Sequence, residues 1–215
     1  MSFLMQLLFQ VPVLLFSLTI HEYSHGRVAY LLGDDTAKRA GRLTLNPISH
    51  IDPIGLLMLF IVHIGWAKPV PINPHNFKNY KRDTALTAAA GPIANFLLAI
   101  VLSIIFAIVK NSFPSQYMMN NFQAFIFSFL FYAILINLAL GIFNLIPIPP
   151  MDGSKILGGF LTDEQYYKYT AKERQGAMIL MIVFAVDYFL HLGIISRIIR
   201  VPLSVLLKLL TGIEI

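Results

Sequence analysis

Residues 1–20, MSFLMQLLFQVPVLLFSLTI, carry no Asp, Glu, Lys or Arg, and the pentapeptide His21-Glu22-Tyr23-Ser24-His25 follows without a polar break. That junction constrains the fold more than any other feature of the chain. On a helix, positions i and i+4 share a face, so both imidazoles can reach one ion. Glu22 lies beside the first of them and can act as a base toward a metal-activated water. Such a pattern on a membrane-embedded helix implies hydrolysis inside or at the edge of a bilayer.

The rest of the chain supports a membrane setting. Its 215 residues are 57% hydrophobic and 13% charged, with a mean hydropathy of +0.70. A soluble domain carries roughly 25% charged residues. Long charge-free stretches predict an all-α polytopic membrane protein. The net charge of +5 does not point to nucleic acid. Lys and Arg lie mainly in loops between apolar runs, where they orient the protein and meet anionic lipid. There is no cysteine, so thiolate ligands are excluded and a metal must use His, Asp or Glu. The N-terminal run has neither a basic n-region nor a small-residue cleavage site, so it reads as a retained helix rather than a cleaved signal.

The first helix is expected over about 3–32, ending near Gly33-Asp34-Asp35. A basic loop follows. Residues 53–67 are apolar but short for a span and predict a re-entrant or membrane-dipping segment. Pro69, Pro71 and Pro74 suit an edge strand or extended loop. A second span is expected over about 84–109 and a third over about 122–145, broken by Ile146-Pro147-Ile148-Pro149-Pro150. Residues 162–175 are polar. A fourth span is expected over about 176–195 and a short amphipathic helix near 201–211. The organisation is one membrane-embedded domain over 1–215. It has a three-helix core within about 3–160, accessory helices within about 176–211, and a small membrane-associated β or extended loop region.

Between the first two spans lie Lys38, Arg39, Arg42, Lys68, Lys78, Lys81 and Arg82, whereas the next connection holds only Lys110 at its edge. The positive-inside rule puts the first connection in the cytoplasm and the N-terminus outside. The His pair then lies in the cytoplasmic half, and the third span brings Asp152 to the same depth.

A catalytic zinc takes three protein ligands and keeps one position open. Asp152 is the best third ligand for His21 and His25. It follows a long uncharged span and a proline break, and Gly153 gives its backbone freedom. The alternative is an Asp that caps the next helix. Asp187 and His191, i and i+4 on the fourth span, could complete the site, hold a second ion, or bond each other or a neighbouring helix. His50, His63 and His75 are expected in loops or in the short apolar segment, with His63 placed to line the site mouth or to sit at the interface. Asn95 and Asn144 are amides at membrane depth and need partners. Each could stabilise an oxyanion, hold a substrate strand, or join helices.

With these residues in place, the chain resembles the site-2 protease family of intramembrane zinc metalloproteases, in a compact prokaryotic form. HEYSH is similar to the family's His-Glu-x-x-His. NLIPIPPMDG is similar to its Asn-x-x-Pro-x-x-Pro-x-Asp-Gly, with Asn144, Pro147, Pro150, Asp152 and Gly153 on the matching positions. AAAGPIANF resembles its Gly-Pro-x-x-Asn element. The resemblance covers about residues 10–160 and implies that His21, His25 and Asp152 hold one zinc and that Glu22 moves the proton. It also implies single-span membrane substrates, such as tethered transcription factors or anti-sigma factors. The PDZ and CBS domains of some members have no counterpart here.

A transmembrane substrate must unwind before attack, and an exposed strand could capture it by β-augmentation. Arg39–Asn46 and Ala67–Asn73 are the candidates for that clamp. Two other functions fit parts of the pattern. A non-catalytic metal-binding or adaptor homologue has no need of Glu22. A transporter is supported only by Asp187 and His191, without an inverted repeat.

Overall fold

The computed structural model describes residues 3–62, 65–112 and 121–214. It is all-α, and among the described residues the only β pairing is a single antiparallel bridge between Ile51 and Ala67. Three long helices carry the architecture: α1 (Phe3–Leu31), α4 (Tyr80–Asn111) and α5 (Asn121–Asn144). Between α1 and α4 lie the short α2 (Thr36–Arg39) and α3 (Pro53–Val62). After α5 come α6 (Asp152–Phe160), α7 (Asp163–Thr170), α8 (Glu173–Leu190) and α9 (Ile194–Thr211).

α4 is the central helix and packs against α1, α5 and α6. Its 32 residues give a rod of about 48 Å, longer than the roughly 30 Å hydrocarbon layer. Asn79 caps its start by accepting from the Arg82 N–H at 3.1 Å. The buried core joins Ala99 and Phe106 of α4, Leu130, Ile134 and Leu138 of α5, and Leu207 of α9. Outward positions such as Leu97, Val101, Ile104 and Ile108 are exposed, as a lipid-facing surface requires.

α4 and α5 are each long and apolar enough to cross a membrane. The expected fourth span takes a different form. α8 stops at Leu190, and the chain bends by 96° into α9. His191 and Gly193 both take left-handed conformations at the break. α9 begins well before the expected 201 and runs for 18 residues, laying its apolar face on α4 and α5.

The expected strands also differ. Within 39–46, α2 ends and Gly41 turns with φ +65°, so no strand forms. Residues 67–73 are extended, but Pro69 and Pro71 supply no N–H for a ladder. The segment is pinned at single points instead. Lys68 N–H donates to the His50 carbonyl at 2.9 Å, and Arg42 Nη2 donates to the Lys68 carbonyl at 2.8 Å.

Asp34 fixes the far end of the same segment. One carboxylate oxygen accepts from Thr36 and from Asn76 Nδ2, and the other accepts from the Asn73 N–H at 2.7 Å. Burial pushes the Asp34 carboxyl up, but the bonds from Thr36, Asn73 and Asn76 outweigh it and hold the group below the usual carboxylate range.

Candidate metal centre

His21 and His25 lie one turn apart on α1, and Asp152 opens α6. The turn before α6 is tight, because a Cβ on Gly153 would stand 2.2 Å from the Leu145 carbonyl oxygen. Only glycine lets α6 fold back this closely on the end of α5. Lys81 of α4 then holds the far end of α6, donating to the Leu161 carbonyl at 2.7 Å and to Asp163 at 2.8 Å. These contacts set Asp152 over the His pair.

The three side chains converge. Asp152 Oδ2 is 3.1 Å from His21 Nε2 and 3.2 Å from His25 Nε2, and the two Nε2 atoms are 3.0 Å apart. His21 Nδ1 donates to Asn95 Oδ1 at 2.7 Å, and His25 Nδ1 donates to the Thr87 carbonyl at 2.7 Å. With both Nδ1 protons engaged, each Nε2 presents a lone pair. Two nitrogen lone pairs and a carboxylate oxygen aimed at one point repel unless a cation lies between them. Tetrahedral zinc with bonds of about 2.0–2.1 Å needs ligand atoms about 3.3 Å apart, close to the observed triangle. Among the described residues this is the one group of three such side chains able to hold a metal.

Close helix contact makes the triangle possible. A Cβ on Gly91 would lie 2.4 Å from His25 Nε2 and 2.6 Å from His21 Nε2. The glycine of the Gly-Pro-x-x-Asn element therefore leaves room for both imidazoles against α4.

Glu22 sits beside the triangle. Its Oε2 accepts from the Val70 N–H at 2.8 Å, in the extended segment. His21, Glu22, His25 and Asp152 share a cavity of about 250 Å³ with Pro69, Val70, Thr84, Thr87 and Asn144.

The two candidate amides behave differently. Asn95 is fully buried and both ends of its amide are used, Oδ1 by His21 and Nδ2 by Asn137 Oδ1 at 2.9 Å and the Ser17 carbonyl at 3.3 Å. It has no donor left for an oxyanion and instead fixes the imidazole of His21. Asn144 lines the cavity, and its Nδ2 donates back to the Leu140 carbonyl at 3.0 Å. Sequence reasoning missed Asn137, whose Nδ2 donates to Ser17 Oγ at 2.9 Å and to the Ala133 carbonyl at 2.8 Å. The signal was present: Asn137 is an amide in the middle of a charge-free span.

The remaining candidates lie elsewhere. Asp187 and His191 meet through the main chain, the His191 N–H donating to the Asp187 carbonyl at the end of α8. The Asp187 carboxylate accepts from the Ile194 and Ile195 N–H groups, at 2.6 and 3.4 Å, and so caps α9. His50 donates from Nε2 to the Thr44 carbonyl at 2.8 Å, and His75 packs near the Tyr80 ring. His63 lies outside the described residues.

The family profile of Peptidase family M50 matches residues 9–187, which include the whole triangle, Glu22, Gly91 and Asn95. The chain belongs to peptidase family M50. Its relatives in that family include the provisionally named zinc metalloprotease YwhC of Bacillus subtilis, 37% identical over 174 residues, covering 81% of this chain and 78% of YwhC. The provisionally named zinc metalloprotease Rip2 of Mycobacterium tuberculosis is 28% identical over 173 residues, covering 79% of this chain and 63% of Rip2. A zinc metalloprotease of Methanocaldococcus jannaschii is 28% identical over 180 residues, covering 80% of this chain and 41% of that protein. No solved structure matches the chain. Membership of M50 agrees with the resemblance to site-2 proteases drawn from the motifs.

Proposed function

We propose that this M50 peptidase is a zinc endopeptidase that hydrolyses peptide bonds of membrane-spanning substrates within the cytoplasmic half of the bilayer. The observation that carries the reading is Glu22 beside three convergent donor atoms in one cavity. A pure binding site has no use for that carboxylate.

His21, His25 and Asp152 would hold the ion. Bound zinc supplies Lewis acidity to the attacking water and the scissile carbonyl. The chain's own groups do the rest. Asn95 and the Thr87 carbonyl fix both imidazoles in the tautomer that frees Nε2. The Val70 N–H holds Glu22 Oε2, which leaves Oε1 to take a proton from the water and deliver it to the leaving nitrogen. Residues 67–73 border the cavity as an extended wall and would present main-chain carbonyls to an unwound substrate segment.

The basic residues between α1 and α4 support a cell-membrane protein with this connection in the cytoplasm and the N-terminus outside. Substrates would be single-span proteins such as tethered transcription factors or anti-sigma factors.

The test is cleavage of a panel of single-span model substrates in liposomes, comparing wild type with Glu22→Gln at equal zinc content. Loss of cleavage with zinc retained supports the assignment. Equal cleavage by both proteins rejects it, and a zinc-loaded wild type inert toward the whole panel favours a non-catalytic metal-binding homologue.

A further inference from the structure

Threonines inside helices usually return their hydroxyl to a carbonyl one turn back. Three of this chain's helical threonines do so. Thr19 donates to the Leu15 carbonyl at 2.7 Å, Thr170 to the Tyr166 carbonyl at 2.9 Å, and Thr211 to the Leu207 carbonyl at 2.8 Å. Thr84 and Thr87 of α4 do not. Oγ1 of each is buried and has no hydrogen-bond partner among the described residues. Thr87 is only 2% exposed. Both residues line the cavity that holds the His21–His25–Asp152 triangle and Glu22.

A buried hydroxyl without a partner is destabilising, so an unpaired couple in one cavity points to a ligand. The two positions are three residues apart on a helix, hence neighbours on one face. Pro69, Val70, Ile72 and Pro74 line the same cavity, and this segment is poor in main-chain donors. Pro69, Pro71 and Pro74 have no N–H, and the Val70 N–H is held by Glu22. An unwound peptide lying along that segment finds carbonyls to bind its N–H groups, whereas for its own carbonyls the lining offers few other donors, the Ile72 N–H, the Asn144 amide and the Lys155 ammonium. Thr84 and Thr87 supply O–H donors from α4, and a hydroxyl can also accept.

We propose that Thr84 and Thr87 bind the main chain of the substrate in extended form from the α4 side of the cavity, independently of its side chains. This rests on the peptidase reading of the same site. It assigns the two hydroxyls to substrate binding and Asn95 to support of His21. Apolar membrane segments offer few polar side chains, so recognition through main-chain groups suits them.

The test uses full-length, zinc-loaded protein in detergent micelles and a fluorescent single-span peptide as probe. Binding is measured in the Glu22→Gln background, and turnover in the Glu22-intact protein. Thr84→Val and Thr87→Val keep the branched shape and remove only the hydroxyl. Each is expected to weaken peptide binding about tenfold, the loss of one hydrogen bond, and to raise KM more than it lowers kcat. Zinc stoichiometry stays at one, the melting temperature does not fall, and Thr87→Ser restores binding.

Wild-type binding in both valine variants would overturn the proposal. So would a fall in melting temperature with zinc loss, which marks the hydroxyls as structural. Threonine-dependent peptide binding without any Glu22-dependent cleavage would overturn the peptidase reading and leave the binding site standing.

Discussion

Asn95 Oδ1 lies 2.7 Å from Nδ1 of His21, while the nitrogen of the same amide donates to Asn137. The chain Ser17–Asn137–Asn95–His21 thus joins α1, α5 and α4 before it reaches the metal centre. In a low-dielectric interior such a relay is rigid, since each member has few other partners. Asn95→Ala removes the acceptor of the imidazole proton. Metal affinity is expected to fall about 10–100-fold. A competition titration of zinc with a chromophoric chelator measures it, and unchanged affinity would refute the support role.

Gly91 gives a sharper steric prediction. A methyl group there would lie 2.4 Å from His25 Nε2. Gly91→Ala is expected to keep α4 helical, because Ala favours helix over Gly by about 1 kcal/mol. The same change displaces both imidazoles. Zinc stoichiometry should fall well below one with an unaltered far-UV circular dichroism spectrum.

Asp34 predicts an acid limb in stability. Its folded pKa is depressed from the ordinary 3.8 by bonds from Thr36, Asn73 and Asn76 that outweigh burial. Such a group stabilises the protein fully above its unfolded pKa. That stability is lost as pH falls through the folded value, so the window lies at and below about 4. Acidification should release residues 67–76, read as faster proteolysis of that segment. Asp34→Asn should lower the melting temperature at pH 7 and flatten the acid limb, because one amide face meets N–H donors with a donor.

Asp187 separates a cap from a ligand. Asp187→Ala should cost about 1 kcal/mol as the α9 N–H groups lose their acceptor. Zinc content should be unchanged, and its loss would restore the rival metal-site reading.

The long helices were legible because uncharged runs of membrane length have few alternatives. The juxtaposition of Asp152 with His21 and His25 was legible through depth, since a proline break ends α5 where the His pair lies. Asn95 was recognised as an amide needing a partner, but its choice of His21 over a substrate depends on the facing of α4 toward α1, which no spacing reveals. Asn137 was visible as an amide at mid-span but was passed over, and its pairing with Ser17 exists only between helices. The strand expected at 39–46 failed for a local reason. Its alternating pattern competed with the end of α2 and a left-handed Gly41, and the local turn won.

The donor set is divided between α1, near the start of the chain, and Asp152 at the opening of α6. During synthesis the His pair is made long before its acidic partner exists. A nascent chain therefore cannot complete the triangle until α4 and α5 have been made and the proline turn has closed. The donor set and the complete fold therefore arise together, and a chain that stops before α6 holds only two of the three donors.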